Sequence, residues 1–239
     1  MAEERASYRF LSTAGASERQ EISLQKIVDH LYIGGKKAAS DREELERANI
    51  THIVNVSSDI PLFFEQDGDL AYLRIPIEDH PQAGDKVYSS FDTAHAFISA
   101  GMKKGGKQGK GGNVFVHCRY GRSRSATVVA AYLMMERGMS VDGVLTHLRK
   151  LRPTILPNTG FVQALMLLDV RLGRDPRDST FDFSHYCVEL LRKEYEGTDM
   201  EGEEELMRRA VQLHRPSKEE GLIPAMMWLE EEYERQSQK

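Results

Sequence analysis

Cysteine is scarce in this chain of 239 residues: there are two, Cys118 and Cys187. Two thiols cannot build the multi-bridge framework of a disulfide-stapled secreted domain, so reduced thiols in a cytoplasmic or nuclear setting are expected. No apolar run approaches the roughly 20 residues that cross a bilayer, and no stable membrane association is expected. The opening "MAEERASYRFLSTAGASERQ" lacks an apolar h-region, which argues against a secretory signal. Its Ser and Arg content suits a transit peptide better, but Glu3, Glu4 and Glu18 oppose that reading. An excess of positive charge is also missing. Lys and Arg number 32 against 37 Asp and Glu, a net charge of −5, so a general nucleic-acid binder is not expected. What remains is an ordinary soluble composition, 40% hydrophobic and 29% charged, in a chain long enough for one α/β domain with an appendage.

Residues 1–25 are polar and aperiodic and read as a tail. "HLYIGG" reads as a short strand closed by two glycines. In "SDRE", Ser40 and Glu43 match a capping box ahead of a helix over "DREELERAN". "THIVNVS" is β-branched and too short for a helix, so it reads as a buried strand, and "LAYLRIPI" as another entered through "DGD". Between Tyr88 and Ser99, Phe91, Ala94, Phe97 and Ile98 recur at helical spacing. "KKGGKQGKGG", residues 103–112, reads as a solvated linker, with a positive arm that attracts anions as the sharper alternative. "SVDGVLTHLRKL" is helical and stops before Pro153. Asn158 can cap a helix over "TGFVQALMLLDVRL" that ends at Gly173. This alternation predicts an α/β fold: a central, mostly parallel sheet flanked by helices.

The pattern changes after Gly173. "STFDFSHYCVELLRKEY", "EEELMRRAVQLH" and "LIPAMMWLEEEYERQ" carry helical periodicity and read as an acidic helical extension over 174–239. Trp228, Met226, Met227 and Leu229 offer it a means of docking onto the rest of the chain or onto a partner, the former being preferred.

The stretch "NVFVHCRYGRSRSATVVAAYLMM", residues 113–135, carries the chemistry. An apolar strand ends in His117-Cys118, and a helix begins near Arg124. The loop between them stands at a strand's carboxyl end and a helix's amino end, where α/β sheets bind ligands and where unpaired N–H groups favour anions. Gly121 permits a turn that other residues resist. A thiol there is expected to become more acidic, because helix N-termini and nearby cations favour the thiolate. Arg124 can fold over the loop and hold two phosphate oxygens with its planar guanidinium. Ser125 is placed to hydrogen-bond the sulfur. A structural cysteine does not explain His117, Gly121, Arg124 and Ser125 together. Adjacent His-Cys is not a zinc-ligand pattern, and the Gly-Lys-Ser/Thr of a nucleotide-binding loop is missing.

"HCRYGRSRS" resembles the His-Cys-x5-Arg-Ser signature of cysteine-dependent phosphatases, in the form typical of dual-specificity protein phosphatases. "HLYIGGKKAASDREELERANITHIVNVS" resembles that family's opening strand, helix and strand, and "LPNTGFVQAL" its Asn-x-Gly-Phe segment, with Asn158 supporting the loop from behind. The likeness covers roughly residues 26–172. It implies a catalytic domain over 26–173, of cysteine-phosphatase fold, that hydrolyses phosphotyrosine and phosphoserine or phosphothreonine in phosphoprotein substrates. Cys118 would be the nucleophile, Arg124 would bind the phosphate with the loop residues Arg119, Tyr120, Gly121, Arg122 and Ser123, and His117 would orient the loop and help to lower the thiol pKa. The family takes its general acid from an upstream loop. Asp79, 39 residues before Cys118, stands at the matching place, with Asp85 as the alternative. No metal or other cofactor is implied, because thiolate, arginine and backbone amides already supply nucleophile and charge stabilisation. Cys187 is expected to be an ordinary thiol.

Two further readings stand beside this one. A similar "GRSRSAT" run occurs in the mitochondrial phosphatase of phosphatidylglycerophosphate, and the extra charge of Arg122 suits lipid headgroups such as phosphoinositides. Some members of the fold are phosphate-binding scaffolds, but those usually lack the cysteine or the arginine, and this chain has both.

Overall fold

A computed structural model describes residues 24–104, 112–175, 179–217 and 220–237. Most of the basic loop expected at 103–112 and the tail up to residue 23 lie outside the described residues. The chain forms two compact units, one from Ile22 to Phe181 and one holding the residues from Asp182 onward.

The first unit is built on a five-stranded sheet in the order β1-β2-β5-β3-β4. Its strands are β1 (Leu24–Val28), β2 (Leu31–Gly34), β3 (Ile50–Asn55), β4 (Ala71–Arg74) and β5 (Asn113–His117). β1 pairs antiparallel with β2, and the other three pairings are parallel. "VFV" is apolar at every position because β5 is the central strand, buried on both faces.

Register and the two-residue period sort the side chains. Ile53 lies opposite Phe115, and on their face they meet Ala38 and Ala39 of α1 (Lys36–Ala39) and Leu45 of α2 (Arg42–Arg47). The other face carries His52 and Val114, and α3 (Gly84–Lys104) lies hard against it. A Cβ on Gly101 would stand 2.8 Å from both side chains. The chain therefore leaves β2 across one face and returns to β5 across the other. The connections diverge at the carboxyl end of β5, where a crevice opens in such folds. α4 (Arg124–Arg137) starts there and is buried from Arg124 to Met134. α5 (Val141–Leu151) and α6 (Thr159–Arg171) complete this side, α6 capped by the Asn158 side chain as expected.

Local expectations are corrected in three places. Leu24 and Gln25, assigned to the tail, begin β1, an edge strand in which Ile27 alone is buried, so its apolar pattern is faint. Ser40 does not start a capping box. Its hydroxyl donates to the Lys37 carbonyl at 3.0 Å and closes α1, and Asp41 caps α2 by accepting from the Glu44 amide at 2.9 Å. The box is displaced by one residue because α1 already occupies the preceding turn. α3 extends beyond Tyr88–Ser99 at both ends.

The second unit contains α7 (Phe183–Glu194), α8 (Glu204–Leu213) and α9 (Ile223–Ser237). Of the four residues expected to dock it, Leu229 is fully buried, Met226 and Trp228 are half-buried, and Met227 alone is exposed. The Trp228 ring stands 5.7 Å from the Arg209 guanidinium and 6.1 Å from the His214 ring.

The glycine of the loop after β5 tolerates no side chain. Gly121 has φ +67°, and a Cβ there would stand 2.5 Å from the Gly34 carbonyl group at the end of β2. Left-handed backbone costs an L-residue about 1–2 kcal/mol before the collision is counted. Gly121→Ala is expected to lower the thermal midpoint by about 4 °C or more. A calorimetric scan showing a drop of under about 1 °C would contradict the packing of this loop on β2.

Candidate active site

The loop from Cys118 to Ser123 is held from outside by its carbonyl groups. Lys36 N–H donates to the Arg119 carbonyl at 2.9 Å, and Leu156 N–H to the Arg122 carbonyl at 2.9 Å. The buried Arg152 guanidinium takes the two between, donating to the Tyr120 carbonyl at 3.1 Å and the Gly121 carbonyl at 3.0 Å. The Ser123 carbonyl accepts from Thr127 N–H inside α4. In a trans peptide C=O and N–H point opposite ways, so five outward carbonyls aim the amides of residues 120–124 inward. These amides and the α4 N-terminus form a cup for an anion. Ser123 is the α4 N-cap residue but gives its helix no side-chain cap.

Cys118 lies at the start of this cup, 1% exposed, with Sγ 3.2 Å from the Ser125 Oγ. Arg124 is 3% exposed, and its Nη1 donates to Ser57 Oγ at 3.2 Å and to the Ile77 carbonyl at 3.3 Å. Asp79 reaches the same place: its Oδ2 stands 3.4 Å from Arg124 Nε. Its Oδ1 accepts from Ser123 Oγ at 2.6 Å and from Asn158 Nδ2 at 3.1 Å. Asn158 thus caps α6 and holds the Asp79 side chain at once. Gly160 explains how the two segments meet, since a Cβ there would stand 1.9 Å from the Pro81 carbonyl oxygen. Asp85 instead occupies the first turn of α3, where a carboxylate suits the helix dipole.

The other residues expected in the site divide. The Tyr120 side chain is exposed at the rim. Arg122 Nε donates to the Thr154 carbonyl at 3.0 Å, which moors that cation to the loop before α6. Arg119 pairs with Asp59, whose other oxygen accepts from the Ser57 hydroxyl and stands 3.6 Å from Arg124 Nη1. Ser57 and Arg119 hold the Asp59 carboxyl down to about 2. Asp59, Ser57 and Arg152 are absent from the sequence reading. Arg152 sits in "LRPTILPN", which looks like a plain turn, and Asp59 follows "NVSS" with no motif around it.

His117 is buried, with its ring stacked 5.4 Å from that of Phe115 and its Nδ1 without a hydrogen-bond partner among the described residues. Burial pushes its pKa down to about 4, so the ring is neutral at pH 7 and, against expectation, brings no positive charge to the loop. In the second unit, burial pushes the Cys187 thiol up to about 12, in keeping with an unreactive role.

Two outcomes are expected. Below pH 6.5 an unfolded chain protonates His117 while the folded protein refuses the proton until about pH 4. Stability present above pH 6.5 is therefore lost as pH falls, by roughly 3 kcal/mol over that window. Urea melts at pH 7.0 and 4.5 should show this loss shrinking in His117→Gln; an unchanged loss would refute a neutral buried ring. Arg152→Ala leaves two loop carbonyls without their clamp and should weaken tungstate binding at least tenfold by calorimetry. Arg152→Lys should restore only part, because an ammonium lacks the guanidinium's planar fork.

The comparisons with known proteins agree with this geometry. Residues 31–171 match the dual specificity phosphatase catalytic domain family. The chain is 34% identical over 168 residues to the dual specificity protein phosphatase Mpk3 of Drosophila melanogaster, covering 70% of this chain but 38% of that protein. The chain therefore spans less than two fifths of that relative's length. It is 34% identical over 157 residues to dual specificity protein phosphatase 1 of Arabidopsis thaliana, covering 66% of this chain and 73% of the relative. A mouse putative dual specificity phosphatase solved with zinc tungstate is 36% identical, with a TM-score of 0.56 over 67% of this chain and 94% of its own. The match over 31–171 takes in the cup, the buried arginine and the docked aspartate, and the chain belongs to the dual-specificity phosphatase family.

Proposed function

We propose that this chain is a protein phosphatase that removes phosphate from tyrosine and from serine or threonine through a cysteinyl-phosphate intermediate. The observation that carries the reading is the convergence of Cys118, the inward amides of residues 120–124, the buried Arg124 and the docked Asp79 on one point.

The chemistry runs in two steps. The Cys118 sulfur attacks phosphorus, the S–P bond forms, and the P–O bond to the substrate breaks. Asp79 gives its proton to the departing oxygen, which leaves as an alcohol or phenol. Charge on the three remaining phosphoryl oxygens is met by the loop amides and the Arg124 guanidinium. A water molecule then attacks phosphorus, its proton passes to Asp79, and the S–P bond breaks to release phosphate. Ser125, 3.2 Å from Sγ, stabilises the sulfur as it leaves. Each step closes without a metal ion.

Pairing of Arg119 with Asp59 and mooring of Arg122 on Thr154 favour phosphoproteins over the lipid-headgroup alternative. Like the buried Arg124, both of these cations already have partners in this chain, so the rim offers less free positive charge than a polyanionic headgroup would use. Retention of Cys118 and Arg124 favours catalysis over a scaffold role. We place catalysis in residues 26–173, with the helices beyond as an appendage.

Purified protein in EDTA should release phosphate from phosphotyrosine and phosphothreonine peptides, the former faster because phenoxide is the better leaving group. Cys118→Ser should abolish release from both, and Asp79→Asn should lower kcat by about 10²–10⁴. Release preserved in Cys118→Ser, or confined to phosphoinositides and phosphatidylglycerophosphate, would overturn the proposal.

A further inference from the structure

A carboxylate is an unexpected neighbour for an anion-binding cup. Asp59 nevertheless lies against it, and its two oxygens face different cations. Oδ2 accepts from Arg119 Nη2, and Oδ1 stands 3.6 Å from Arg124 Nη1. Ser57, fully buried, ties the pair together, accepting from Arg124 and donating to Asp59. Arg119 is thus held one carboxylate's width from Arg124, at the rim, with its side chain 44% exposed.

That position has a chemical meaning. A phosphorylated residue in the cup places its phosphate on Arg124. Along an extended peptide, residues two apart face the same way and are about 7 Å apart. A second phosphate at that spacing arrives beside Arg119, where Asp59 now sits. The carboxylate occupies the cation and repels the incoming dianion.

We propose that Asp59 is a specificity-determining residue that, by pairing with Arg119 beside Arg124, restricts the site to singly phosphorylated segments. Without it, Arg119 and Arg124 would form a two-phosphate clamp. The inference rests on the phosphatase reading above and adds the substrate class to it.

Binding to Cys118→Ser protein reads the effect without turnover. Two peptides of one sequence are compared by calorimetry, one bearing phosphotyrosine alone and one with a phosphothreonine two residues away. With Asp59 present, the second phosphate should add little affinity. Asp59→Asn in the same background should shift the ratio about tenfold toward the doubly phosphorylated peptide, and the gain should shrink as salt is raised. Adding Arg119→Ala should cancel the shift, which a loosened loop would not predict. Asp59→Ser carries the same test should the asparagine variant be unstable. An unchanged ratio in both Asp59 variants, or a shift that survives Arg119→Ala, overturns this inference and leaves the phosphatase reading standing. Failure of Cys118→Ser to bind either peptide overturns both.

Discussion

Five peptide carbonyls, from Arg119 to Ser123, must face away from the cup before any amide can face into it. Everything around the loop serves that requirement. β2 supplies the Lys36 amide just past its glycines, the turn before α6 supplies the Leu156 amide, α4 supplies Thr127, and Arg152 spans the two carbonyls that no backbone donor reaches. A peptide dipole is a poor anion ligand when free to turn and a good one when its other end is already bonded. The site's strength therefore resides in hydrogen bonds that never touch the ligand.

The charges follow a similar logic. Arg124 is almost wholly buried, and an isolated guanidinium there would be costly. It is held by a hydroxyl, a carbonyl and two carboxylates, those of Asp59 and Asp79. These partners fix where the guanidinium lies before an anion arrives, so its orientation is settled in advance. Asp79 gains from the same arrangement, since Ser123 and Asn158 hold one of its oxygens while Arg124 stands by the other. Asp79, Arg124 and the loop are positioned by one another.

Much of this was readable in advance, and what was missed shares a cause. Cys118, Arg124 and Ser125 stand in a segment whose residue types and order carry chemical meaning by themselves, Asn158 stands where a helix cap is needed, and Asp79 was legible only through the family resemblance. β5 announced itself because a central strand has no polar face. β1 did not, because an edge strand with one buried side chain has almost no apolar pattern to show. The capping residue of α2 was misread by one position because the preceding short helix consumed Ser40. Asp59, Ser57 and Arg152 gave no local signal, since each acts on a partner 30 or more residues away.

The residue order of the chain was enough to mark the loop as an anion-binding candidate: a thiol, a glycine turn and an arginine lie between an apolar strand and a helix. It was also enough for the alternation that makes the sheet parallel, because helical and strand periodicities are local properties. The folded protein alone decided which carboxylates meet Arg124, which cation clamps the loop carbonyls and how much of the rim's positive charge remains free. Those outcomes depend on side chains brought within about 3 Å across long sequence separations, and at such distances placement, rather than composition, sets the strength of a hydrogen bond or ion pair.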